Sequence, residues 1–296
     1  MTGSILNEVF LPFALALIMF GMGLTLTRLD FLRLWQTPKP IFVGLLGQLL
    51  LLPLLAFAIC FWFKLAPPLA VGLMILAACP GGTMSNLISH LSNANLALSI
   101  SLTAVCTLVC VFTTPFVVEF FLSYFADDNS PSFSLIKTSV GLILVTLVPI
   151  ILGMVIRHYF SSFALKSELF FRRFSMTFMM VIIAGLLLQE RDTLMDSFSQ
   201  VFAACLALNL LSTIIGLVLG KVFHLSQKDA ITLGIEVGIQ NSTVAILIAI
   251  SLLNTPSYAL SAGVYGLTMY IGAALLALYA KYTDKDKSLE EVNVEA

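Results

Sequence analysis

Nothing constrains this chain more than the length of its uncharged apolar runs. Between residues 9 and 280 they follow one another with short polar interruptions, most of them close to the roughly 20 residues a helix needs to cross a bilayer. No water bonds backbone amides and carbonyls at that depth, so a spanning segment must satisfy them as a helix or in a closed barrel. Long runs without polar–apolar alternation are helical. Charged residues make up 10% of the chain, against roughly 25% in soluble domains. The expected fold class is an all-α polytopic membrane protein.

Polar punctuation divides the chain into nine expected transmembrane helices, at approximately 9–26, 40–63, 68–91, 95–122, 135–156, 174–189, 198–220, 230–253 and 257–280. The sixth is short and the fourth long, within ordinary tilt. With the N-terminus outside, twelve basic residues (Arg28, Arg33, Lys39, Arg157, Lys166, Arg172, Arg173, Lys221, Lys228, Lys281, Lys285 and Lys287) fall in inside loops. Lys64, Lys137 and Arg191 fall outside. This is the positive-inside bias, and it puts the C-terminus in the cytoplasm. The loop at 123–134 has two aspartates and no basic residue, as an outside loop should. Residues 1–283 form one expected transmembrane domain, and 284–296 a charged, disordered cytoplasmic tail. The first run lacks a basic flank and a small-residue cleavage site, so it reads as a retained span.

Several classes drop out. Cys60, Cys79, Cys106, Cys110 and Cys205 all fall inside expected spans, where they act as small hydrophobes. Their spacing matches neither a transition-metal site nor a disulfide framework, and no cofactor is expected. No basic block suits nucleic acid. Ser85 and Ser99 have no intramembrane His or Asp to activate them, so an enzyme is not expected and no residue is assigned as catalytic. A channel needs a continuous polar lining, whereas these polar residues cluster at mid-span. His90, His158, His224, Asn209 and Ser212 receive no functional role.

Two spans are interrupted near their middles. In the third, an apolar arm meets Cys79-Pro80-Gly81-Gly82-Thr83-Met84-Ser85-Asn86, where proline removes a donor and the glycines loosen the backbone. In the eighth, Gly234 and Gly238 flank Glu236, and Gln240-Asn241-Ser242-Thr243 follow. A carboxylate at the bilayer centre costs about 2.5–3.5 kcal/mol on insertion scales and marks a pathway or ion site by default. Paired interrupted segments in corresponding halves point to a secondary transporter's binding site. Spans one to four and six to nine then form two repeats offset by an odd number of spans, which makes the repeat inverted. Helix halves before the breaks end in free carbonyls that suit a cation, and halves after them begin with free amides that suit an anion. Thr83 and Asn241 fall at those beginnings. One carboxylate among neutral oxygens favours a hard monovalent cation. Ser99, Thr103 and Thr107 recur every four residues on the fourth helix, a stripe that also occurs where hydroxyls simply bond back to the preceding turn.

The motifs at 79–86 and 236–242, with Asn95 to Thr103 and Phe20 to Leu26, resemble the signatures of the bile acid:sodium symporter family, and the likeness covers nearly the whole chain. It implies a bacterial-type relative of the apical and hepatic bile acid transporters, in the inner membrane, lacking the first helix of the first repeat as the animal members do. Core helices would lie at approximately 40–122 and 198–280, and panel helices at 9–26, 135–156 and 174–189. The resemblance implies a first sodium site at Ser85, Asn86, Ser99, Thr103 and Glu236. It implies a second at Gln48, Glu236, Gln240 and the carbonyls of Val237 and Ile239, with substrate at Thr83 and Asn241. The implied partners are sodium, membrane lipid and an organic anion, a bile acid or a small carboxylate or sulfonate. The implied function is sodium-coupled import of that anion by alternating access. The likeness departs in the last span, where Met269 and Tyr270 stand at positions that some bacterial members fill with polar groups. A second reading, an anion exporter or proton-coupled carrier like the distantly similar arsenite-efflux proteins, rests on the Cys79 thiol.

Overall fold

The computed structural model describes residues 9–125 and 134–295, without the side chains of Leu194 and of 283–295. Most of the expected outside loop at 123–134 lies beyond the described residues. The described residues are helical and contain no strand. They form α1 (Leu11–Thr25), α2 (Arg28–Gln36), α3 (Pro38–Trp62), α4 (Pro67–Ala78), α5 (Met84–Leu91) and α6 (Leu96–Phe125). There follow α7 (Leu135–Tyr159), α8 (Ser161–Gln189), α9 (Arg191–Val222), α10 (Gln227–Gly238), α11 (Ser242–Leu252) and α12 (Ala259–Glu295). Among the described residues six helices are long and apolar enough to cross a membrane, or up to seven if the bent pair α1–α2 is one span. Helices α4 and α11 are apolar but shorter, so a total of nine requires α4–α5 and α10–α11 each to be an interrupted span.

Local chemistry explains the ends and irregularities. Prolines start α3 and α4, where a missing N–H costs nothing. Pro53 in α3 and Pro149 in α7 each follow a π turn, Gly47–Leu51 and Ile143–Leu147. A proline ring crowds the carbonyl four residues back, and an extra residue in the preceding turn relieves that clash. Helix α2 falls in what the charge pattern presents as a loop. Its start is a capping box in which the Asp30 carboxylate accepts from the Thr27 N–H at 2.7 Å, and it leaves α1 at 63°.

Two boundaries need correction. Helix α8 is 29 residues long and begins at Ser161, so the sixth span is not short. Lys166, Glu168, Arg172 and Arg173 end the apolar pattern but are sound helix formers, and the helix runs through them. Helix α12 continues to Glu295, across the segment expected as a disordered tail. The Lys and Glu content of that stretch supports helical backbone.

Helix α1 packs against α7 and α8, while α9, α10 and α12 pack together and α4 lies against α6 and α12. Lipid is as apolar as leucine, so helices associate through close packing of small residues. A Cβ on Gly23 would lie 2.2 Å from the Ile150 carbonyl oxygen, and one on Gly153 would lie 2.4 Å from that of Phe20. Gly216 sets the α9–α10 contact in the same way, 2.3 Å from the Leu233 oxygen. Because the obstacle is backbone on both sides of the α1–α7 contact, Gly153→Val should push these helices apart. It should cost about 1–3 kcal/mol, read as a lower melting temperature in detergent; an unchanged melting temperature would show that this contact is not tight.

Candidate functional site

Where α4 stops at Ala78 and α10 stops at Gly238, the chain runs on extended before α5 and α11 begin. These two short segments meet antiparallel, at an isolated bridge between Gly81 and Gln240. The Gly82 N–H donates to the Ile239 carbonyl at 2.9 Å, and the Asn241 N–H donates to that of Pro80 at 3.0 Å. Each break thereby satisfies part of the other, which answers the cost of free backbone polar groups in an apolar interior. A Cβ on Gly82 would sit 2.9 Å from the Gln240 oxygen, so glycine permits the approach.

The carbonyls left free where the first halves end are also occupied. Thr114 Oγ1 donates to the Ala78 carbonyl at 2.6 Å. Asn209 Nδ2 and Tyr265 Oη donate to that of Gly238, at 2.9 and 2.8 Å. Asn209 Oδ1 in turn accepts from the Gly272 N–H at 2.9 Å, tying α9, α10 and α12 together. Asn209 and Tyr265 had no expected part in the site. A lone amide in an otherwise apolar segment was the available signal for Asn209; Tyr265 offered none.

Glu236 is 2% exposed. Ser99 Oγ donates to its Oε1, and Thr103 Oγ1 lies 2.8 Å from its Oε2. Both hydroxyls have a second acceptor in reach: Asn86 Oδ1 lies 2.9 Å from Ser99 Oγ, and the Ser99 carbonyl lies 2.9 Å from Thr103 Oγ1. Ser85 Oγ is 3.4 Å from Thr103 Oγ1. A hydroxyl has one proton to give, so oxygens here outnumber the protons they can share. Among the described residues no basic side chain compensates the carboxylate. The ion pair found among the described residues is Arg33–Asp30, on α2. The structure thus gathers Ser85, Asn86, Ser99 and Thr103 around Glu236 in an oxygen-rich cluster. Thr107 stands apart and bonds back to the Thr103 carbonyl at 2.7 Å.

The second expected group is arranged differently. Gln48, in the π turn of α3, donates to Gln240 Oε1 at 2.6 Å, and Gln240 Nε2 donates to Gln48 Oε1 at 3.3 Å and to the Val237 carbonyl at 3.0 Å. Both amides are buried and engage each other reciprocally. The Ile239 carbonyl belongs to the crossing itself.

Asn241 caps α11, its Oδ1 accepting from the Val244 N–H at 3.2 Å. Thr83 occupies the cap position of α5 without that side-chain bond. Thr83 instead lines a cavity of about 370 Å³ between α1, α5, α6 and α8. Ile18, Met22, Leu87, Ile100 and Phe171 give it apolar walls, and Asn86, His90, Glu168 and Arg172 add polar groups. A smaller space of about 30 Å³ adjoins the crossing, lined by Thr83, Gln240, Asn241, Ser242 and Met269. Tyr270 lies outside both spaces and packs half-buried against the core.

Helix ends gathered around a buried carboxylate in an all-helical, apolar chain are features of a membrane transporter's ion site. A profile of the Sodium Bile acid symporter family matches residues 12–197, and the chain belongs to that family. It is similar to the uncharacterized sodium-dependent transporter YocS of Bacillus subtilis, 27% identical over 91% of this chain and 82% of that one. It is 29% identical to a probable chloroplastic sodium/metabolite cotransporter of Oryza sativa, over 90% of this chain and 62% of the relative. The human ileal sodium/bile acid cotransporter is 31% identical over 52% of this chain and 44% of its own length. The family is one of sodium-coupled transporters, not enzymes. The chain is therefore a multi-pass membrane protein of a sodium-dependent transporter family.

Asn209→Ala should remove the bridge from Gly238 to Gly272 while Tyr265 still serves the first. Losing one buried acceptor–donor pair costs about 1–3 kcal/mol, to be read by thermal unfolding in detergent; a wild-type melting temperature would show the amide to be dispensable.

Proposed function

We propose that this protein is a secondary symporter that couples import of an organic anion to sodium. The observation that carries the reading is Glu236, a buried carboxylate with surplus oxygens around it and no cationic side chain. A small hard cation supplies what this cluster lacks, and sulfur and imidazole are not among its ligands. In the first site, sodium would take Ser85, Asn86, Ser99, Thr103 and Glu236. In the second, the Gln48 and Gln240 amides would turn from each other to present oxygen, joined by Glu236 and the carbonyls of Val237 and Ile239.

Two sodium ions sharing Glu236 would convert a net negative centre into a positive one. An incoming carboxylate or sulfonate, held near Thr83 and Asn241, then meets attraction instead of repulsion, which is a physical cause for coupling. With a monovalent anion one net positive charge enters per cycle, and each 100 mV of membrane potential adds about 2.3 kcal/mol of drive. Alternating access would come from α1, α7 and α8 moving as a panel against the remaining core. The close packing of α1 with α7 and α8 supports that division. Nine spans, with α4–α5 and α10–α11 as inverted, interrupted partners, follow from the same reading, as do an outside N-terminus, a cytoplasmic C-terminus and a place in the bacterial inner membrane. The mostly apolar walls of the 370 Å³ cavity suit an anion with an apolar body. Cys79 lines neither cavity, so nothing here favours a thiol-based arsenite site.

In proteoliposomes, replacing sodium by choline should abolish uptake of the transported anion, and Glu236→Gln should remove sodium stimulation even where the protein remains folded. Uptake undiminished in choline would refute the coupling.

A further inference from the structure

Three helices carry polar side chains at helical spacing down one shared seam. On α5 and its end these are Ser85, Ser89 and Ser92; on α10 they are Glu236, Thr232 and Asp229; entering α6 they are Thr103, Ser99 and Asn95. Steps of three and four residues keep each set on one face of its helix, and α5, α6 and α10 pack on one another. The three faces meet at the top of the seam, where Ser85, Ser99 and Thr103 surround Glu236. They meet again at its lower end, where the Asn95 N–H donates to Thr232 Oγ1 at 2.9 Å and Asn95 Nδ2 donates to Asp229 Oδ1 at 2.8 Å.

Between those ends lie two anomalies. Ser89 is 0% exposed and Ser92 is 2% exposed, and neither hydroxyl oxygen has a hydrogen-bond partner. A buried hydroxyl left unmade is costly, and two in succession on the face that carries Ser85 are free to take an ion or a water. The seam is also distinct from the organic cavity. Thr83, Asn86, Leu87 and His90 line that cavity from α5, and a period of 3.6 residues sets them away from the face of Ser85, Ser89 and Ser92.

We infer that, in the state open to the inside, a monovalent cation, with water, passes between the Glu236 cluster and the half-buried Asp229 along this seam, by way of Ser89 and Ser92. The inference rests on Glu236 being a sodium site, as proposed above. Asp229 supplies negative charge where the seam ends, the Ser92 and Ser89 hydroxyls replace hydration part of the way, and Ser85 hands the ion to the carboxylate. Asn95 latches the lower end, since it must release Thr232 or Asp229 for an ion to pass. Cation and organic anion would then use opposite faces of α5, and Asn86, which contacts Ser99 and lines the cavity, would stand between the two.

The test uses the full-length protein in detergent and measures binding and release of radioactive sodium against time. Ser89→Ala and Ser92→Ala should slow both rates, each by about tenfold for one lost ion–hydroxyl contact in the passage, and leave equilibrium sodium affinity within about twofold. Asp229→Asn keeps an oxygen for Asn95 to donate to and should lower the binding rate with a weaker dependence on ionic strength. Wild-type rates in all three variants, or a loss of affinity carried by faster release alone, would overturn the route while leaving Glu236 as a sodium site. Failure of the unaltered protein to bind sodium would instead remove the reading on which the route rests.

Discussion

The buried carboxylate of Glu236 organises this protein. Glu236 sits where α10 nears its end, Ser99 and Thr103 reach it from α6, and Ser85 and Asn86 join the cluster from α5. Among the described residues no arginine or lysine answers it, and serine and threonine hydroxyls can share only one proton each. Such a centre is stable where something positive visits it. The crossing of two extended segments brings that about. By exchanging Gly82 N–H···O Ile239 and Asn241 N–H···O Pro80, each break solvates the other, so the helices stop inside an apolar interior without stranding their backbones.

This arrangement makes the centre both rigid and responsive. Carbonyl ends are held by Thr114, Asn209 and Tyr265, which fixes where α4 and α10 stop. Gln48 and Gln240 are bonded to each other, and Ser99 reaches both Glu236 and Asn86. Helix α5 lies between the seam that ends at Asp229 and the mostly apolar cavity that Arg172 helps to line.

Much of this was legible in the sequence, for identifiable reasons. Pro80 with Gly81 and Gly82, and Gly238 before Gln240 and Asn241, announce breaks because each residue disrupts a helix by itself. Ser99 and Thr103 announce a face because four-residue spacing is the helix repeat. Other features were hidden. Helix α2 and the first turns of α8 were obscured by Arg28, Arg33, Lys166, Arg172 and Arg173, since charge marks a loop in an apolar chain even where it also suits a helix. The part played by Tyr265 was invisible, because one hydroxyl on an aromatic ring gives no spacing to read. Ser89 and Ser92 resemble any surface serine until the fold shows both buried without a protein partner.

The most direct test of the central claim is the infrared difference spectrum between sodium-free and sodium-loaded protein, recorded for the natural chain and for Glu236→Gln. The account predicts a sodium-induced shift in a carboxylate stretching band that is absent from the variant. The same bands in both proteins, or no carboxylate change on adding sodium, would contradict it.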